Sequence, residues 1–77
     1  MDAENLIRMA NRIGEFFDAT PDRTEAMDGV ATHFARFWEP RMRRQMLQLL
    51  DSPSGDAIAP LVAEALRAYR TRLTPAT

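Results

Sequence analysis

The dipeptide Glu39-Pro40 constrains the fold of this chain more than any other feature of its sequence. A residue that precedes proline is pushed out of the α-helical region, and proline itself is favoured as the first residue of a helix. One helix must therefore stop at Trp38 or Glu39, and the next can start at Pro40 with no linker between them. Apolar residues recur at helical spacing on both sides of this corner. Before it lie Ala26, Met27, Val30, Ala31, Phe34, Phe37 and Trp38; after it lie Met42, Met46, Leu49 and Leu50, with Leu47 at the margin. The spacing predicts helices over 21–38 and 40–50.

The flanking segments follow the same period. Leu6, Met9, Ala10, Ile13, Phe16 and Phe17 predict an amphipathic helix over 3–19, with Glu4, Arg8, Asn11, Arg12, Glu15 and Asp18 on its polar face. Ala10 and Gly14 leave one edge of that apolar stripe small enough for a second helix to approach closely. Thr20 is the expected N-cap of the second helix, with Pro21 as its first residue. Asp51-Ser52-Pro53-Ser54-Gly55-Asp56 reads as a loop, and a last helix over 57–72, capped by Asp56, carries Ile58, Leu61, Val62, Ala65, Leu66, Tyr69 and Leu73 on one face. Residues 73–77 are expected as a frayed tail. The reading is an all-α fold, one small domain of three to four amphipathic helices.

Composition excludes several chemistries. With no cysteine among 77 residues, disulfides, thiolate catalysis, iron-sulfur ligation and cysteine-bound zinc are out of reach. A single histidine, both serines confined to the Pro53 loop, and isolated glycines at 14, 29 and 55 argue against a hydrolytic triad, a metal site and a phosphate loop. No catalytic, metal or direct cofactor-binding residue is expected. Opening residues Met1-Asp2-Ala3-Glu4 and the lack of any apolar run near the ~18 residues of a membrane span predict neither a leader nor a membrane helix, hence a cytoplasmic address.

Charge is uneven although the net is −1: residues 1–28 hold seven acids against three arginines, and residues 29–50 hold one acid against four arginines. All ten cations are arginine. That preference extends to plainly exposed helix positions, so a GC-rich genome accounts for it more readily than a binding role does. The stretch from His33 to Gln45 nevertheless concentrates the only histidine, the only tryptophan, two phenylalanines and four arginines. Aromatic and guanidinium groups combine large contact area with a polar handle, the chemistry of interface anchors. The interface candidates are His33, Phe37, Trp38, Arg41, Arg43 and Arg44. Arg43 falls on the flank beside Met46 and Leu50, where it must either snorkel its head to solvent or find a carboxylate or carbonyl acceptors. A helix-turn-helix reading is disfavoured by the acidic balance, the scarcity of base-reading Asn or Ser on the third helix, and a proline corner in place of a glycine turn. Neither nucleic acid nor membrane is expected as a partner.

Arg8-Met9-Ala10-Asn11 followed by Ile13 and Phe16-Phe17, then Pro21-Asp22-Arg23, then His33 with Phe37-Trp38-Glu39-Pro40-Arg41-Met42-Arg43, resembles the delta subunit of soluble NAD-dependent, molybdenum-containing formate dehydrogenases. The resemblance covers roughly residues 5 to 70, and its specific part is Phe-Trp-x-Pro-Arg-Met-Arg. It implies a non-catalytic accessory subunit in the cytoplasm, docking directly on the alpha subunit in a complex with beta and gamma subunits and supporting cofactor insertion or stability. The complex would hold bis-molybdopterin guanine dinucleotide, iron-sulfur clusters, FMN and NAD on those other subunits, with none bound by this chain alone. Two alternatives stay open: a transient assembly chaperone absent from the mature enzyme, and a small helical DNA-binding regulator.

Overall fold

Asp2 starts the first helix by accepting a hydrogen bond from the Glu4 amide at 3.3 Å, and α1 runs Ala3–Phe17. α2 (Arg23–Phe37), α3 (Pro40–Leu50), a 3-10 turn (Pro53–Ala57), α4 (Pro60–Ala68) and one last turn, α5 (Arg70–Leu73), complete the chain. This computed structural model describes residues 2–76; Thr77, the end of the expected tail, lies outside them, as does Met1. The fold is all-α, with no strand among the described residues.

α1 stops at Phe17, short of the expected residue 19, with Asp18 as its C-cap, and three further boundaries differ from the sequence reading. α2 begins at Arg23 rather than Pro21, because the Asp22 carboxylate, not the Thr20 hydroxyl, takes the Thr24 amide at 3.0 Å. The segment 57–72 is not one helix. Ala59 precedes Pro60 and is extended (φ −56°, ψ 144°), so α4 starts at the proline, and Asp56 belongs to the 3-10 turn instead of capping α4. At Tyr69 the backbone leaves helical geometry (φ −110°, ψ 24°) before α5. Leu73, expected in a frayed tail, is buried, while Arg70 grips both oxygens of Asp51 (3.1 and 2.6 Å) and Arg72 reaches Asp28 and Thr32. The hydrogen bond from Arg70 holds the Asp51 carboxyl below the usual carboxylate range, against a smaller opposing effect of desolvation.

All four main helices contribute to one core. Leu6 and Ala10 of α1, Val30 and Phe34 of α2, Met46 and Leu50 of α3, and Leu61, Val62 and Leu66 of α4 are buried together, and no polar or charged residue among those described is fully buried with them. The small edge of α1 is where α4 comes closest. A Cβ built on Gly14 would lie 2.7 Å from Val62 Cγ2, so only glycine admits this crossing without a shift.

Asn11, read as part of the solvent-facing side of α1, turns out to clip the extended linker between the 3-10 turn and α4. Its Nδ2 donates to the Ala57 carbonyl at 3.0 Å and its Oδ1 accepts from the Ala59 amide at 2.8 Å. The linker has no helix of its own to satisfy those groups, so a side-chain amide, which offers a donor and an acceptor together, replaces one. Asn11→Ala should cost about 1–3 kcal/mol in chemical denaturation, and Asn11→Asp, which loses the donor, should not restore it.

Candidate functional site

α1 and α2 run antiparallel in a register set by a close contact at one end, where a Cβ on Gly29 would fall 2.5 Å from the Phe17 ring. Farther along, Ile13 and His33 face each other across an open groove of about 410 Å³, lined by Arg12, Ile13, Phe16, Phe17 and His33. The groove exists because the core draws on only one side of α1. Leu6, Ala10 and Gly14 point inward, whereas Met9 and Phe16 lie more than a quarter-turn around the helix and are left outside. Phe16 is 75 % exposed, its ring meeting Phe17 edge-on at 5.0 Å.

His33 and Phe37, both expected at an interface, are brought together here, their rings 4.9 Å apart. Phe37 is 69 % exposed and continues the aromatic surface one turn beyond His33 along α2. Exposed apolar side chains that adjoin one another, rather than standing singly, are a common feature of interaction surfaces.

Trp38 lies on the other side of α2. It is 5 % exposed, its ring packed edge-on to Phe34 at 4.4 Å, so in this chain it is a core residue and presents almost no area to a partner. Arg43 sits beneath the corner, part-buried. Its Nη1 donates to the carbonyls of Ala35 (3.1 Å) and Trp38 (3.4 Å), and its Nε is buried with no partner. The sequence offered snorkelling, carboxylate pairing or carbonyl acceptors, and the carbonyls are what it meets. α2 ends abruptly because Trp38 is extended and Pro40 has no N–H to return to Arg36, which leaves the last carbonyls short of donors. A guanidinium reaching back from α3 fills that need and places positive charge at a helix C-terminus. Arg41 and Arg44 are exposed on the outer side of α3.

Phe16, Ile13, Phe17 and Arg12 belong to the site but not to the expected set. The available signal was the width of the α1 stripe, in which Met9 and Phe16 stray from the line through Leu6, Ala10 and Gly14. Among the described residues, no group of three or more histidines and carboxylates comes together in a way that could hold a metal ion. No helix is long and apolar enough to cross a membrane. The fold and its surface thus define a small helical domain with an aromatic groove open to solvent. The family model described as NADH-dependant formate dehydrogenase delta subunit FdsD matches residues 5–66, and the chain belongs to this family. It is accordingly a subunit of a formate dehydrogenase and works in a complex with other subunits. No curated protein and no solved structure shows significant similarity to it.

Proposed function

We propose that the chain is a non-catalytic accessory subunit that docks on the molybdenum-cofactor-bearing alpha subunit of a cytoplasmic NAD-dependent formate dehydrogenase and supports cofactor insertion or stability. The observation that carries this reading is the exposed aromatic surface of Phe16, His33 and Phe37 on a chain of the delta-subunit family. His33 and Phe37 make the contact, with Arg41 and Arg44 on the neighbouring face of α3. Trp38 and Arg43 act one step back, by holding the corner that presents them.

The donor set of the chain does not suit the cofactors that its family resemblance implies. Without cysteine it has no ligand for an iron-sulfur cluster, and its one histidine stands in an apolar groove beside Phe37. Molybdenum, iron-sulfur, FMN and NAD chemistry is assigned to the alpha, beta and gamma subunits, and this chain contributes binding surface.

Co-expression of the four subunits tests the reading. The chain should co-purify in constant ratio with alpha, and omitting it should lower the molybdenum content of the isolated complex. An enzyme that purifies without the chain, with full molybdenum content, would remove the proposal; loss of the chain after cofactor loading would make it a transient chaperone instead.

A further inference from the structure

Arg12 lines the α1–α2 groove on the α1 side, and helical spacing sets Arg36 one turn beyond His33 on the α2 side, just outside the lining. Arg36 is exposed one residue before Phe37 and three after His33, which puts it on the outer edge of the same face of α2. The antiparallel register that pairs Phe17 with Gly29 and Ile13 with His33 brings the two arginines nearly level. Several other surface guanidinium groups are occupied, Arg23 by Asp18 and Glu64, Arg70 by Asp51, Arg72 by Asp28, and Arg8 by the Asn5 side chain, whereas Arg41 and Arg67, away from the groove lining, are as open as Arg12 and Arg36. Neither Arg12 nor Arg36 has a hydrogen bond or ion pair among the described residues.

The dimensions select the shape of an occupant. From the level of Phe16 to that of Phe37 is about seven residues of helix, roughly 10 Å, two turns. A helix that offers apolar side chains at i, i+3 or i+4, and i+7 covers the same length, and a trough between two helices is a common seat for such a ridge. Charge selects its edges. Arginine on both sides calls for carboxylates on both margins of the apolar stripe, and it disfavours a second copy of this chain, since two-fold apposition of the groove would bring Arg12 and Arg36 against their own kind.

We infer that the α1–α2 groove receives a two-turn amphipathic helix of another formate dehydrogenase subunit, whose apolar stripe packs on Ile13, Phe16, His33 and Phe37 and whose flanking carboxylates pair with Arg12 and Arg36. The inference rests on the accessory-subunit reading above and deepens it by stating the chemistry of the partner surface. Phe37 anchors one end of the seat, Phe16 the other, and the arginines set orientation and register.

Two measurements on the co-expressed complex test it. In the first, Phe37 is replaced by the photo-reactive p-benzoylphenylalanine and the irradiated complex is digested and analysed by mass spectrometry. The expected adduct is a single helical peptide of another subunit with Asp or Glu beside its apolar residues. An adduct with a second copy of this chain, an adduct with a peptide lacking acids, or no adduct in a complex that retains the chain would each overturn the inference. In the second, R12E/R36E, in which both side chains are exposed, is compared with wild type for retention on the complex at rising salt. The double variant should bind at least tenfold more weakly, and the wild-type affinity should fall with ionic strength; equal affinity at low salt would overturn the inference. If wild type co-purifies while either measurement fails, the groove is wrong and the accessory-subunit reading stands. Failure of wild type itself to co-purify ends both. The cross-link does not depend on the charge variant folding.

Discussion

Trp38→Ala is expected to cost about 3–5 kcal/mol of folding stability, the range for removing a large aromatic from a packed core. The residue is 5 % exposed, stacked edge-on against Phe34, and it closes the end of α2 where α3 turns back. A domain of this size has few such residues to lose, and each kcal/mol lowers its melting temperature by about 4–8 °C. The variant should melt tens of degrees below wild type or fail to fold, and Trp38→Phe should recover most of the loss. Thermal melts followed by far-UV circular dichroism read this directly. A drop of only a few degrees would mean that the indole contributes little until a partner covers it, returning Trp38 to the role of an interface anchor.

The second large effect is expected at Arg43. Arg43→Met keeps most of the apolar stem and removes the head that serves the Ala35 and Trp38 carbonyls. The charge-assisted bonds and the newly unsatisfied Ala35 acceptor together set the loss at about 2–3 kcal/mol, reduced by removal of the unpartnered Nε. Arg43→Lys should recover part of it, since an ammonium can reach one carbonyl but has no planar fork to span two. Urea denaturation of the isolated chain separates this from binding. If Arg43→Met leaves the chain as stable as wild type yet releases it from the complex, then Arg43 acts on the partner and not on the end of α2.

Phe37 and Trp38 show where sequence reasoning runs out. On a helical wheel the two fall about equally far, roughly 50°, on either side of the direction of Val30 and Phe34, so periodicity ranks them alike. What separates them is the path the chain takes after Pro40, which leaves Trp38 in the core beside Phe34 and Phe37 bare. That path is tertiary information. Density of aromatic and arginine residues singled out the region but could not divide it into a buried half, Trp38 and Arg43, and a more open half, His33 and Phe37. Phe16 was missed for the converse reason, being counted with the core stripe of α1 although no helix packs against that edge.

The helices themselves were legible, because apolar spacing and proline placement act locally. The missed boundary at Pro60 needed no new principle: the rule that ends α2 before Pro40 also holds Ala59 extended before Pro60. Asn11 was less accessible. Its clip joins residues 46 and 48 positions apart, and nothing in the local pattern around Asn11 marks it as more than another polar side chain.

That clip has a bearing on how the chain reaches its fold. Both helices that build the groove are complete in sequence by Phe37, whereas the bonds from Asn11 wait for Ala57 and Ala59. During synthesis, the surface proposed to meet the partner is made before the fastener that ties α1 to the start of α4, which can close only once Ala59 has been added.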